Sequence, residues 1–355
     1  MSKVASLLSR LGDVAGLIAT PLVPSEYVAL VWPLAASRAR KARVEAVHDE
    51  APGVRTLTLR PGRGWRAHRA GQHVQVGLAI DGRVTTRTYS ISSAPERSDG
   101  CITITVKAQP GGRLSRVLVE QITVGTFLTV GLPSGDFVLT QTSRPLFITA
   151  GSGITPIASM IRSAAARGQV PEITHVHYAR TPADEIFGEE LRTLQVDHPA
   201  YKFIVVHTAH GRRRFDELVP DWRVRETWAC GPQGLLEDVE RVFAAAGRSD
   251  ALHVERFRPK LAPLPANTEG GRVRFATSGV EVRADGRTAL LQVSEAAGLA
   301  LRHGCRMGIC HSCDTILTSG CVRDLRTGAS IDEPGTRIQI CVCAAAGDVE
   351  LQENT

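Results

Sequence analysis

Three cysteines crowd the stretch Cys305-Arg306-Met307-Gly308-Ile309-Cys310-His311-Ser312-Cys313. Their C-x4-C-x2-C spacing is the order in which thiolates hold a [2Fe–2S] cluster. A loop wrapped around such a core must turn several backbone N–H groups toward sulfide, and Gly308 supplies the freedom that so tight a wrap needs. A fourth sulfur is required downstream, where both Cys341 and Cys343 stand. The competing reading is a structural zinc knuckle. Zinc ligands usually come as two separate short pairs, whereas one C-x2-C pair, Cys310 and Cys313, is present in this loop.

Other stretches could bind nucleotides. Arg87-Thr88-Tyr89-Ser90-Ile91-Ser92-Ser93 joins a cation for phosphate, a ring to lie on a flat cofactor and a hydroxyl for a polar ring edge. Thr, Tyr and Ile are also what strands prefer. The stretch gains weight from Gly112-Arg113-Leu114-Ser115, a glycine turn opening a short helix whose N–H groups suit an anion. Together they fit a flavin dinucleotide, against the plainer reading of a strand and a turn. Gly151-Ser152-Gly153-Ile154-Thr155-Pro156 lies between an apolar strand and an apolar helix, where a phosphate loop belongs. Pro156 stands where the third glycine of G-x-G-x-x-G would be. Ala229-Cys230-Gly231-Pro232 ends another strand, at the carboxyl edge where ligands of α/β sheets bind. Cys230 reads either as a buried core thiol or as a neighbour of the reacting ring.

These stretches need scaffolds, and 355 residues suffice for two or three cores. Between Arg43 and Leu139, short alternating or β-branched runs (43–47, 56–59, 73–76, 102–106) are separated by Pro61-Gly62, Asp81-Gly82 and Pro110-Gly111-Gly112. That pattern predicts an antiparallel β-barrel. From Arg144 onward, strands at 146–150, 173–178, 203–206 and 227–230 alternate with helices at 157–166 and 186–194, which predicts a parallel α/β sheet. A proline-rich linker at 260–271 precedes strands at 273–275 and 280–282 and a helix at 290–297 that Gly298 caps. The expected domains are therefore 43–140, 141–259 and 272–355, behind an apolar arm at 1–42.

Composition excludes little else. The chain is 43% hydrophobic and 22% charged, and its net charge of +6 is scattered, which gives no support for nucleic-acid binding. Eight cysteines without a secretory leader point to a reducing, cytoplasmic compartment. In the arm, Val4, Leu7, Leu8, Leu11, Val14, Leu17 and Ile18 recur at helical spacing until Pro21 and Pro24. Residues 1–37 read as a helix packed on its own protein or as a peripheral contact with a membrane or a membrane-bound partner. His175 and His177 alternate in a buried strand and should face packing rather than metal.

Taken in order, Arg87-x-Tyr89-Ser90, Gly112-x-x-Ser115, Gly151 to Pro156 and Cys230-Gly231-Pro232 resemble the motifs of the ferredoxin–NADP reductase superfamily. The C-terminal region resembles plant-type ferredoxins. From about Arg43 the chain is similar to the fused flavin-reductase–ferredoxin carriers that serve oxygenases, hydroxylases and fatty-acid desaturases. The resemblance implies a β-grasp-like α+β ferredoxin domain behind the barrel and the α/β domain. It places FAD on Arg87, Thr88, Tyr89 and Ser90, and its pyrophosphate on Val106, Lys107, Gly111, Gly112, Leu114 and Ser115. The nicotinamide dinucleotide falls to Gly151, Gly153, Ile154, Thr155, Pro156, Gly231 and Pro232, with Thr155 near the flavin and Cys230 beside the carbon that gives up hydride. Ser90, Thr155 and Cys230 would thus touch the reacting rings. Ferredoxins set the last cysteine before a valine and seven residues ahead of an acid, as Cys341-Val342 and Asp348 do, although Ala345 stands where proline is frequent. The implied ligands are Cys305, Cys310, Cys313 and Cys341.

A 2′-phosphate needs cations, and Arg180 and Arg212-Arg213-Arg214 follow successive strands, so NADPH is expected, with NADH the alternative if these form only a solvated loop. Hydride carries two electrons and the cluster takes one, so FAD must stand between them. With its apolar arm at 1–37 before the barrel, the chain resembles reductases that work with membrane-bound acyl desaturases or alkane hydroxylases, and the resemblance implies an external acceptor protein, a membrane-bound di-iron acyl desaturase. The alternatives are an alkane or aromatic-ring hydroxylase, or no acceptor at all in a flavin–iron–sulfur redox sensor.

Overall fold

The computed structural model describes residue 34 and residues 40–355, apart from 81, 143, 266, 267, 310, 354, 355 and the side chain of 83. The apolar arm, residue 34 excepted, and Cys310 lie outside the described residues. The chain divides into two compact units, Met1–Leu78 with Tyr89–Glu226, and Ala79–Thr88 with Thr227–Thr355.

In the first unit, β1 (Lys41–Ala51), β2 (Val54–Pro61), β3 (His73–Ile80), β5 (Ile102–Lys107) and β6 (Phe127–Val130) pair antiparallel in the order β3-β6-β1-β2-β5. The alternation of the sequence drives one face of each strand inward, and Val44, Leu57, Leu59, Val76, Ile104 and Leu128 are wholly buried. Each such side chain contributes about 1.5–3 kcal/mol relative to exposure. Along the chain β4 (Arg83–Ser90), whose residues up to Thr88 fall in the second unit, lies between β3 and β5, and after β5 comes α1 (Arg113–Glu120), which buries Leu114 and Leu118.

The parallel strands β7 (Pro145–Ala150), β8 (Ile173–Ala179) and β9 (Tyr201–His207) follow in that order across the sheet. Every residue of β8 is buried, as a strand covered on both faces must be. The helix expected from Ile157 begins earlier, as α2 (Ile154–Ala166). Pro156 is tolerated there because the first turn has no intrahelical use for its missing N–H. Helix α3 (Gly188–Asp197) starts later than the expected Ile186, since Phe187 caps it in the left-handed region at φ 59. A single turn, α4 (Phe215–Leu218), follows β9.

In the second unit, β10 (Glu226–Cys230, from Thr227 onward) pairs parallel with β11 (Leu252–Glu255), and α5 (Gln233–Ala245) connects them. The C-terminal sheet comprises β12 (Gly271–Phe275), β13 (Val280–Ala284), β14 (Asp314–Asp324), β15 (Ser330–Ile331), β16 (Arg337–Gln339) and β17 (Cys343–Gln352). Its order is β13-β12-β17-β14-β15, with β16 on β14. β12 and β17 run parallel while their other neighbours are antiparallel, so the sheet is mixed. Helix α6 (Leu290–Ala296) buries Leu290, Leu291 and Val293 in its core, and Gly298 ends it at φ 82. The cysteine loop connects α6 to β14. Within the linker stretch, Ala262 N–H donates to the Leu325 carbonyl at 2.7 Å and Leu264 packs on Ala289, Leu325 and Ala344. Among the described residues, no helix is long and apolar enough to cross a membrane.

Candidate functional site

On β4 the two-residue period puts Thr88 and Ser90 on one face. Both hydroxyl oxygens are buried without a hydrogen-bond partner among the described residues. A buried polar group left unsatisfied costs about 1–3 kcal/mol. Two on alternate positions of one strand are what a polar cofactor edge would satisfy. Arg87 Nη1 donates to the Thr86 carbonyl at 2.8 Å. Val106 is wholly buried, so it can offer a cofactor only its backbone, while Lys107 at the end of β5 is exposed. In the following turn Gly111 adopts φ 71, and Ser115 Oγ accepts the Gln109 N–H at 3.1 Å and lies 3.4 Å from the Gly112 carbonyl. The Ser115 hydroxyl therefore closes the turn. What α1 presents to an anion is the backbone N–H set of its first turn, beside the buried Leu114.

The nucleotide loop begins where β7 ends. Gly151 takes φ 51, a single 3-10 turn spans Gly151–Gly153, and α2 opens at Ile154. The buried Thr155 hydroxyl donates to the Ser152 carbonyl at 2.9 Å and so fixes the loop from within. Beyond β8 and β9 lie the basic residues: Ala209 N–H donates to the Arg180 carbonyl at 3.0 Å, and Tyr178 Oη donates to the Arg213 carbonyl at 3.0 Å. Burial pushes the Tyr178 phenol up to about 12, so it stays a donor. Arg180, Arg212 and Arg213 are exposed, whereas Arg214 makes a two-pronged pair with Asp216. Cys230 is fully buried at the end of β10, in register with Glu255. Burial, then the Glu255 charge, hold its thiol well above the ordinary range, which keeps it neutral. Gly231 leads into Pro232, whose carbonyl receives the Leu235 N–H at 3.0 Å and opens α5.

The cysteine loop carries the backbone signature of a forced wrap. Three non-glycine residues with positive φ occur among the described residues, and two of them, Arg306 and His311, lie in this loop. Met307 N–H points at Cys305 Sγ at 3.3 Å. Cys341 approaches Cys313 within hydrogen-bonding reach, receives the Gly308 N–H and feels Cys305; its Cys313 contact, then burial, push its thiol up. Cys343 instead starts β17 opposite Asp324 and sits in the apolar core, where burial pushes it up to about 12. Among the described residues, which omit Cys310, no three His, Cys, Asp or Glu side chains gather as a single metal ion would need.

Arg306 grips Glu295 on α6 with both prongs. Arg326, which the sequence reading passed over, donates to the Gly308 carbonyl at 2.7 Å and is held by Asp324 at 2.7 Å. A Cβ on Gly308, at φ 70, would meet Arg326 at 2.5 Å and Val342 at 2.8 Å, so glycine is required there on both conformational and steric grounds. Among the described residues the loop thus brings Cys305, Cys313 and Cys341 together, a donor set of thiols that suits an iron–sulfur cluster. His175 and His177 are wholly buried and hydrogen-bonded within the sheet, in packing as expected. Their shared partner Thr149 carried no local signal.

Three family models match: an oxidoreductase FAD-binding domain over residues 54–139, an oxidoreductase NAD-binding domain over 147–226, and a 2Fe-2S iron-sulfur cluster binding domain over 273–346. The chain is 46% identical over 351 residues to an NADPH oxidoreductase of Mycobacterium tuberculosis, covering 96% of this chain and 91% of that protein. It is 31% identical to the stachydrine N-demethylase reductase subunit Stc4 of Rhizobium meliloti, covering 83% and 91%. In fold it matches phthalate dioxygenase reductase with a TM-score of 0.63 at 24% identity, over 88% of this chain and 97% of that one. Its cofactors are FAD, a pyridine nucleotide and a [2Fe–2S] cluster, and its chemistry is that of an NAD(P)H:ferredoxin-type oxidoreductase. The chain belongs to the ferredoxin–NADP reductase superfamily, as a fusion of flavin and nucleotide domains with a C-terminal [2Fe–2S] ferredoxin domain.

Proposed function

We propose that this reductase takes hydride from NADPH and delivers single electrons to a separate oxygen-activating enzyme, with a membrane di-iron acyl desaturase as the first acceptor to test. One observation carries the general reading: a two-electron nicotinamide module and a one-electron sulfur loop share the chain with a strand whose buried hydroxyls await a cofactor. FAD, when bound, accepts the pair of electrons and releases them singly. The chain's own part is to bind and orient. Thr88 and Ser90 offer hydroxyls to the ring edge, Arg87 and the first turn of α1 offer positive ends to the pyrophosphate, and Tyr89 covers a ring face. Gly151 to Pro156 admit the coenzyme, and the neutral Cys230 thiol adds no charge beside the ring that gives up hydride. Cys305, Cys310, Cys313 and Cys341 hold the exit centre.

The apolar spacing of residues 1–37 supports the desaturase reading. The second reading, an oxygenase as acceptor, is supported by relatives named as reductase subunits of stachydrine N-demethylase and of a glycine betaine monooxygenase. Deleting 1–37 separates them. Electron delivery to a membrane-embedded desaturase should be lost while NADPH-dependent cytochrome c reduction persists; undiminished delivery by the truncated protein refutes the desaturase assignment.

Coenzyme choice gives a separate expectation. Arg180→Ala removes a cation placed for the 2′-phosphate, a charge-assisted contact of about 1.5–3 kcal/mol. KM for NADPH should rise about tenfold or more while KM for NADH stays put. An equal rise for both coenzymes would mean that Arg180 does not read the 2′-phosphate.

A further inference from the structure

Helix α2 carries the nucleotide loop at its N-terminus, and one of its sides does something else. Ser159, Arg162, Ser163 and Arg167 recur at helical spacing and lie along residues 92–96, the segment that continues the flavin strand just past Ser90. The wholly buried Ser159 hydroxyl donates to the Ser93 carbonyl at 2.6 Å. Arg162 Nη1 donates to the Ser92 carbonyl at 2.5 Å. Farther along, Ser163 Oγ and Arg167 both reach the Glu96 carboxylate.

The same segment is pinned from its other side. Ser92 N–H donates to the Thr103 carbonyl at 2.8 Å, Thr103 N–H donates to Ser93 Oγ at 3.0 Å, and the Ser92 hydroxyl lies 2.8 Å from that of Thr103. Side chains and amides thus fasten it to β5, and its carbonyls fasten it to α2. Arg162 is itself aligned before it reaches Ser92. Its guanidinium grips the Glu190 carboxylate on α3 through Nε and Nη2 and lies 4.3 Å from the centre of the Phe187 ring. Phe187 is the left-handed residue that caps α3. A planar guanidinium held by a carboxylate and an aromatic ring has one orientation, and that orientation fixes where Ser92 can be.

We infer that Arg162, seconded by Ser159, is a positioning residue for hydride transfer: it sets where the Tyr89–Ser90 end of the flavin strand lies relative to the nicotinamide loop at the head of α2. The inference rests on the reading of this unit as a flavin–nicotinamide reductase. Arg162 acts through the Ser92 carbonyl, and Ser159 through that of Ser93. Transfer between two rings is steep in geometry, and a misplacement of about 1 Å can cost roughly a hundredfold in rate. Arg167 and Glu96, a partly exposed pair farther along the same seam, should matter little to the rate.

The test is anaerobic stopped-flow reduction of the bound flavin by whichever coenzyme reduces the parent protein faster, with protiated and C4-deuterated coenzyme. Arg162→Met should slow flavin reduction about tenfold or more and change the isotope effect, with FAD content, coenzyme Kd and the cluster spectrum as in the parent. Arg162→Lys, which keeps a cation for one carbonyl, should recover part of the loss, and Ser159→Ala should show a smaller fall of the same kind. A parent rate and isotope effect in Arg162→Met overturn the inference. So does a loss of rate that merely follows loss of FAD. If Arg162→Met does not fold, Glu190→Gln loosens the guanidinium without removing it and should lower the rate with the same isotope signature; an unchanged rate there also overturns the inference. Failure of the underlying reading looks different, since the parent protein itself would then show no flavin reduction by either coenzyme.

Discussion

Cys341→Ser is expected to abolish the visible [2Fe–2S] absorption while FAD stays bound and its reduction by coenzyme continues at the parent rate. Electron flow to cytochrome c through the cluster should stop, because the relay ends at a module that no longer holds iron. The geometry behind this is local. Cys341 lies against Cys313, receives the Gly308 N–H and is within electrostatic reach of Cys305, whereas Cys343 is 1% exposed and committed to the sheet core by the start of β17. Cys343→Ser buries a hydroxyl among apolar neighbours, at a cost of about 1–3 kcal/mol. That variant should therefore be less stable toward urea yet retain its iron. Iron content and the visible spectrum of the two variants decide the matter. Loss of the cluster in Cys343→Ser with retention in Cys341→Ser would move the fourth ligand.

That pair of cysteines shows where the sequence is informative and where it stops. The spacing of the first three sulfurs is local, and so is the glycine between them, so the chemistry of the loop was readable before the fold. The fourth sulfur is far along the chain, and spacing alone left two candidates. What separates them is the pairing of β17 with β14, a long-range contact. Strands and helices followed the same rule. Periodicity placed the barrel strands and the parallel strands, but the start of α2 is set three residues late because Ile154-Thr155-Pro156 reads as part of the phosphate loop. It also set the start of α3 two residues early because nothing local reveals that Phe187 is left-handed. The partners that fix the sites were illegible for one physical reason. Arg326 meets Gly308 across 18 residues, Thr149 meets His175 across 26, and Arg162 meets Ser92 across 70. No pattern of neighbouring residue types encodes such pairs, since each end alone is an ordinary helix, strand or turn residue.

The largest expected loss of stability comes from Thr149→Val. The Thr149 hydroxyl lies 2.7 Å from His175 Nε2 and 2.8 Å from His177 Nδ1, and His175 Nδ1 lies 2.9 Å from the Tyr201 hydroxyl. One hydroxyl has one proton, so it donates to one ring and accepts from the other. Because His177 Nε2 has no hydrogen-bond partner among the described residues, the arrangement without an orphaned N–H puts that ring's proton on Nδ1. His177 then donates to Thr149, Thr149 to His175, and His175 to Tyr201, one directed chain through three strands. Valine keeps the shape of threonine but leaves two buried ring nitrogens unsatisfied, so the urea midpoint should fall by the equivalent of about 2–5 kcal/mol. Thr149→Ser, which keeps the hydroxyl, should lose much less.

The same network predicts acid sensitivity. Burial, then the neighbouring His207, hold the His177 imidazole down at about 3, and burial, then His177, hold His175 well below its ordinary value of 6.5. The unfolded chain takes up these protons near 6.5 and the folded one does not, so native stability is full above that pH and drains as pH falls toward the folded value. Two such groups give a slope of up to about 2.7 kcal/mol per pH unit below 6. Carboxylates held low by arginine, such as Asp99 at about 2 and Glu172, add their own loss only as pH falls through about 5, so the interval from pH 6.5 to 5.5 reports the histidines. His177→Phe, which cannot titrate, should roughly halve the slope of the urea midpoint against pH across that interval. An equally steep dependence in His177→Phe, or a flat one in the parent protein, would show that these buried rings do not govern it.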